Sequence, residues 1–355
     1  MSYYIIGEPE FEASGWYKSI FNGIISEKKQ RRFSLTALDC AADVAELSIS
    51  DDDVAFIIGG DVSWISSTAE EISALFGNRV IVLGNCEHSE IHPYSVVTTD
   101  IRESVNLLYK HLSTSVGDRI ALFGINPYSA SDLYKKDAFL SLGNTESSLF
   151  YNNGSISECV DGFLSRMDEF DGVICVNSYA AVYLSRAVCD ADVCVCSVGS
   201  SALADRSDFD IPYTESDYGA FAREGIELSR LLIRNPDISS ITLKLSSSFY
   251  CGGAVSDNAE LKNIISHPQQ RGDVRFYSDN DMLQMIRLDN MLSALSDEDE
   301  RILHMLTVGE TYQTIAESCY MSEGGIKYKV KNMIEVAGVN NRAELVELLR
   351  KYKKR

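Results

Sequence analysis

Through its first 250 residues the chain alternates short apolar runs with stretches of helical spacing. The runs are Y-Y-I-I-G from Tyr3, V-A-F-I-I-G-G from Val54, R-V-I-V-L-G from Arg79, R-I-A-L-F-G from Arg119, G-V-I-C-V-N from Gly172 and V-C-V-C-S-V-G from Val193. Runs this rich in Ile, Val and Phe, most ending in Gly, read as strands buried on both faces of a parallel sheet. Weaker strands are expected at 33–38 and 148–152. Between the runs, 16–29, 67–76, 101–112, 156–167, 178–188 and 218–233 carry helical periodicity. Strand and helix in this order predict right-handed βαβ units in a doubly wound α/β architecture. The units are too many for one sheet, and the polar S-T-S-V-G-D at 113–118 suggests a division into two lobes.

The pattern then changes. From Ser256 to about Asp281 the text is polar and irregular, a connector, and a helix bearing Met282, Met285, Ile286, Met291, Leu292 and Leu295 follows. Four short helices close the chain. Ser296 caps the first, with acids in its first turn that suit the helix dipole. Gly309 ends it, 312–319 forms a second, Ser322 caps a third from about Glu323 to Ala337, Gly338 stops that one, and Asn341 caps a fourth. Ile326, Val330, Met333, Ile334 and Ala337 share one face of the third helix, the core stripe. Gly324, Tyr328, Lys331 and Glu335 lie opposite, with Lys327 and Asn332 on the shoulders. Expected boundaries are 1–255 for the two-lobed domain, 256–292 for linker and connecting helix, and 293–355 for the small all-α four-helix domain.

Charge sharpens this division. The 355 residues carry a formal net charge of -20. From Gly324 onward nine Lys or Arg oppose three Glu, a net of +6, so residues 1–323 hold -20 minus 6, or -26. Most of the chain repels a polyanion and its last helices attract one. No segment approaches ~18 uninterrupted apolar residues, which excludes a transmembrane helix. The N-terminus lacks the basic leader of a signal peptide. The nine cysteines, odd in number and several inside apolar runs, are then expected to be reduced cytosolic thiols. Nucleotide-enzyme chemistry lacks its phosphate cradle, since neither G-x-G-x-x-G after a strand nor a phosphate loop ending in G-K-S or G-K-T is present. Cys86-Glu87-His88 with His92, and Cys194-Val195-Cys196, resemble fragments of ligand sets. Neither is complete, so no metal, cofactor or catalytic residue is expected.

Two resemblances follow. L-S-D-E-D-E-R-I-L-H-M-L-T-V-G-E-T-Y-Q-T-I-A-E, then S-E-G-G-I-K-Y-K-V-K-N-M, then A-G-V-N-N-R-A-E-L, resembles the LuxR-type (GerE-type) helix-turn-helix domain. That resemblance implies double-stranded DNA as partner, with the third helix in the major groove. It assigns DNA contact to Lys327, Tyr328 and Lys331, with Lys329, Asn332 and Gly324 beside them and Lys329 better placed for a phosphate than a base. The chain departs from the family at Gly325, usually Thr, and at Lys329, often His.

Residues 3–255 resemble the effector domain of lac-repressor-type regulators, the type I periplasmic-binding-protein fold. Y-Y-I-I-G-E-P-E-F-E-A-S-G-W-Y-K-S-I-F-N-G-I matches its first strand and helix, S-V-V-T-T-D-I-R its crossing segment and G-D-R-I-A-L-F-G its second-lobe strand. The implied ligand residues are Trp16, Tyr17, Asp100, Asn177, Ser178 and Ser201, walling a pocket for a small-molecule effector such as a carbohydrate. Ser178 and Ser201 stand where sugar-binding members often have Asp, and no pocket Arg is found near 131–136. The expected protein is a cytoplasmic, dimeric, ligand-responsive transcription regulator and not an enzyme. The alternative is a small-molecule-binding or enzymatic α/β protein whose terminal helices serve association alone.

Overall fold

The structure is a computed structural model that describes residues 1–12, 14–86, 91, 93–251 and 279–352. Twelve strands and thirteen helices are named within the described residues. The first lobe contains β1 (Ser2–Gly7), α1 (Gly15–Arg31), β2 (Ser34–Leu38), β3 (Val54–Ile58), α2 (Val62–Phe76), β4 (Val80–Leu83) and β5 (Ser95–Thr99). The second contains α3 (Ile101–Ser115), β6 (Ile120–Ile125), α4 (Ala130–Leu140), β7 (Leu149–Tyr151), α5 (Ile156–Leu164), β8 (Gly172–Cys175), α6 (Ser178–Ala187), β9 (Cys194–Val198), the short α7 (Ala202–Asp205) and β10 (Tyr213–Ser216). The chain then returns to the first lobe as α8 (Tyr218–Arg234) and β11 (Thr242–Leu245), and crosses once more into β12 (Ser247–Tyr250).

Two six-stranded sheets result, ordered β11-β5-β4-β3-β1-β2 and β12-β10-β9-β8-β6-β7. All pairings are parallel except β10 with β12. The completely buried β3, β4, β5, β6 and β8 explain the uninterrupted apolar runs. Each sheet is covered by helices, the first on one side by α1 and α8 around Phe56, Ile20 and Phe221, the second on one side by α3 around Leu108, Leu122 and Cys196.

The lobes part at Asp100, upstream of the polar 113–118 stretch that suggested the division. Helix α3 belongs to the second lobe because Val105, Leu108 and Leu112 pack on its sheet. The three crossings meet in a buried hydroxyl chain. Ser247 Oγ lies 2.6 Å from Ser104 Oγ and 2.8 Å from Ser216 Oγ, one serine beside each crossing. The Asp100 amide also donates to the Leu245 carbonyl at 2.9 Å, binding the first crossing to the third.

The connector at 256–281 falls mostly outside the described residues. Beyond it stand α9 (Asn280–Ser293), α10 (Asp297–Thr307), α11 (Tyr312–Cys319), α12 (Glu323–Ala337) and α13 (Arg342–Lys351). Their caps form at the expected residues: Ser296 accepts from the Asp299 amide, Ser322 from Gly325 and Asn341 from Glu344. Gly309 and Gly338 have φ of 95° and 67°, the left-handed region that glycine enters without strain. One apolar cluster runs from second-lobe residues such as Ile156, Leu184 and Leu203, through Met285, Leu288 and Met291 of α9, to Ile302, Ile326 and Leu348. The terminal helices therefore share a core with the second lobe. No helix among the described residues is long and apolar enough to cross a membrane.

Candidate nucleic-acid interface and effector cleft

Helices α11 and α12 are joined by Tyr320, Met321 and Ser322. Tyr320 holds a left-handed φ of 55° and is 98% exposed. Ile315, Ala316, Ile326, Val330 and Met333 bury the inner faces of this pair. The outer face of α12 presents Gly324, Lys327, Tyr328, Lys331 and Asn332, all exposed. Tyr328 is 66% exposed, unusual for a ring without a partner to cover it. Lys327 Nζ sits 2.7 Å from Glu323 and 6.0 Å above the Tyr312 ring. Solvent screens an exposed pair of this kind, so Glu323 is readily exchanged for a phosphate. Lys331 has no ion pair among the described residues.

Lys329 does something else. Its Nζ lies 2.7 Å from Asp299 and 3.1 Å from Glu298, fastening α12 to the start of α10. Burial pushes the Asp299 carboxyl up, but the hydrogen bonds from Lys329 and Ser296 outweigh it and hold the group below its ordinary range. The lysine expected near a phosphate is thus engaged inside the domain. Tyr320, at the tip of the turn, is a surface group that helical periodicity did not single out because it stands between helices.

The six expected ligand residues follow the carboxyl ends of strands, at or near helix starts. Asp100 accepts from the Glu103 amide at 3.0 Å, Asn177 from Ala180 at 2.9 Å and Ser201 from Ala204 at 3.2 Å. Each is an N-cap, so at least one acceptor site is already occupied. Ser178 is buried as the first residue of α6. Tyr17 is buried against β1, and a Cβ at Gly7 would collide with its hydroxyl, so it packs as core. Trp16 is half-buried among Phe11 at 5.5 Å, Tyr17 at 6.1 Å and Tyr218 at 6.4 Å. Two polar residues join this wall that were not anticipated. Asn85 receives a hydrogen bond from Thr99 and donates to the Tyr218 hydroxyl, both at 3.0 Å. Its position directly after the R-V-I-V-L-G run was the available signal.

The second-lobe side is acidic. Desolvation raises the carboxyls of Asp205, Glu215 and Asp289, and the last two also feel the Asp205 charge. Asp289 comes from α9. It accepts from the Leu203 amide at 2.8 Å, at the start of α7, and from the Tyr179 hydroxyl at 3.0 Å, at the start of α6. At the other end of α9, Asp279 accepts from the Ile156 amide at 2.6 Å, where α5 begins, and Asp281 from Tyr183 at 2.9 Å. Helix α9 thus sets carboxylates on the N-terminal amides of α5 and α7, where helix ends are positive, and on two tyrosine hydroxyls of α6. It also reaches the first lobe electrostatically, since Lys18 of α1, its pKa lowered by burial, feels the Asp289 charge. Further ties to the terminal helices are Arg206 with Glu300 and Lys351 with Asp281 at 2.8 Å. A cavity of about 290 Å³ remains at this junction, bordered by Leu203, Leu288, Leu303 and Tyr352. That is at the small end for a ligand pocket.

The residues Glu87, His88 and His92 of the first ligand-set fragment lie outside the described residues. In the second, Cys194 is half-buried and Cys196 fully buried on β9.

Comparison with known proteins agrees with both halves. Residues 293–349 match the GerE family, bacterial regulatory proteins of the luxR family. No curated protein sequence matches the chain. Among solved structures, the transcriptional regulator CelR in complex with cellobiose superposes with a TM-score of 0.53 at 16% identity, covering 70% of this chain and 83% of that one. A LacI family transcriptional regulator from Arthrobacter sp. FB24, in complex with lactose, gives 0.52 at 16% identity over 70% and 97%. CcpA of Lactococcus lactis gives 0.53 at 13% identity over 70% and 97%. The chain therefore joins a two-lobed domain with the fold of LacI-family regulators to a LuxR-type helix-turn-helix domain at its C-terminal end.

Proposed function

We propose that the protein is a ligand-responsive transcription regulator of the cytoplasm. Helix α12 enters the major groove of double-stranded DNA, with Lys327, Tyr328 and Lys331 against the duplex and Tyr320 at the flanking backbone. A small molecule binds between the lobes and sets the geometry of the reading heads in a homodimer. The observation that carries this reading is the seat of α9, which rests on the cleft-side helix starts of the second lobe while sharing a core with the DNA-reading helices. Any ligand that moves those helix starts changes the support of α12.

The cleft favours a ligand rich in hydrogen-bond donors. Trp16 and Tyr218 offer aromatic faces, and Asp205 and Glu215 offer acceptors. A carbohydrate fits this chemistry. The cellobiose and lactose bound by two proteins of similar fold support the same class.

Selection from a random duplex pool at low salt, followed by a sugar panel read by both thermal shift and DNA affinity, tests the proposal. A sugar that raises the melting temperature and changes DNA affinity supports it. Ligand binding with no duplex selected favours terminal helices that serve association only.

A further inference from the structure

We propose that the second lobe carries a thiolate-rich transition-metal site, of the zinc class, formed by His111, Cys194 and Cys196. The ligating atoms of these three side chains all lie within 4.8 Å of one another. They come from separate elements, the last turns of α3 and the strand β9. A Cys-x-Cys pair on a strand turns both thiols to one face, here the face covered by α3. Both cysteines are free thiols.

The donor set selects the ion. Two thiolates and one imidazole suit zinc and similar borderline-soft metals, and disfavour the hard cations that prefer oxygen. Tetrahedral zinc, with bonds of about 2.3 Å to sulfur and about 2.0 Å to nitrogen, needs donor separations of roughly 3.5–3.8 Å. The side chains must close by no more than about 1.3 Å from that upper limit, which rotation about the Cys and His side-chain bonds supplies. His111 and Cys194 are half-buried and Cys196 is buried, so an ion enters from one side and is held on the other. His111 is supported by the Phe249 ring of β12, centroids 4.9 Å apart.

Among the described residues no fourth His, Cys, Asp or Glu joins the group. Tyr213 pairs with both Ser197 and Tyr250, which makes Cys196 and Cys251 level across Pro212. Two strand spacings, about 9.6 Å, separate them. With three donors from the described residues, two of them half-exposed, the fourth position falls to water and the bound ion is exchangeable. Cys194 starts β9 and Ser201 follows its carboxyl end, so the site lies at the opposite end of the strand from the effector cleft.

Cobalt titration of the reduced, chelator-treated full chain tests this. One equivalent should bind with an intense near-ultraviolet thiolate-to-cobalt charge-transfer band, displaced by zinc. Cys194→Ser and His111→Gln should each weaken zinc binding at least about tenfold with unchanged circular dichroism, while Cys251→Ser binds like the parent. Absence of the charge-transfer band in the parent, undiminished affinity in both ligand variants, or loss of binding in Cys251→Ser would overturn the assignment.

Discussion

The Asp289 carboxylate accepts the Leu203 amide at 2.8 Å, so the helix that carries the DNA-reading domain supplies an acceptor for the first turn of a second-lobe helix. Burial is the largest influence on this carboxyl and raises it, against the Leu203 amide and Tyr179 hydroxyl that lower it. A group raised in the folded state stabilises fully below its unfolded value, about 3.9, and less as pH rises through the raised value. Asp289→Asn keeps an acceptor but cannot ionise. Melting curves should show the variant gaining on the parent as pH rises from about 4 toward neutrality. Parallel profiles would mean that the carboxylate is not desolvated at this seat.

Lys329 and Lys331, two residues apart on α12, should separate stability from DNA binding. Lys329→Ala leaves Asp299 partly buried without its cation and should cost roughly 1 kcal/mol in the stability of the terminal domain, with a small effect on affinity. Because the Asp299 carboxyl is lowered in the fold, its contribution is present above about pH 3.9 and is lost as pH falls through the lowered value. Lys331→Ala should do the reverse, leaving the melting temperature unchanged and reducing the salt dependence of binding by about one unit of slope. Calorimetry and salt-dependent anisotropy on both variants provide the readouts. Equal effects of the two on DNA would place Lys329 on the duplex after all.

Ser247 is the shared partner in the hydroxyl chain at the lobe crossings. Ser247→Ala should leave the Ser104 and Ser216 hydroxyls without this partner and cost about 1–3 kcal/mol in urea denaturation. A neutral effect would show that these crossings are held by their backbone bonds alone.

How far the sequence carried this depends on the element. The buried strands were legible because residues such as Val54 to Ile58 are apolar on both faces. The four terminal helices were legible because Ser296, Ser322 and Asn341 cap as their chemistry dictates. Strands β11 and β12 were not, since Thr242 to Tyr250 is half-exposed edge whose partners come from distant segments. Local pattern also missed the N-terminal half of α2, where Ser63, Ser66 and Ser67 mask the helical period. At the sites, the identity of cleft-end residues was readable while their direction was not. Asp100, Asn177 and Ser201 turn back to cap their own helices, and His111 reaches Cys194 only through the packing of α3 on β9. Periodicity marked the outward face of α12 but could not reveal that Lys329 bends to Asp299.

The most direct test is the affinity of the full chain for its selected duplex, compared with Lys327→Ala/Lys331→Ala by fluorescence anisotropy at several salt concentrations. The proposed interface requires a loss of at least about tenfold and a slope smaller by about two, with the melting temperature retained. A double variant that binds as tightly as the parent, with the same slope, would contradict the placement of α12 in the groove.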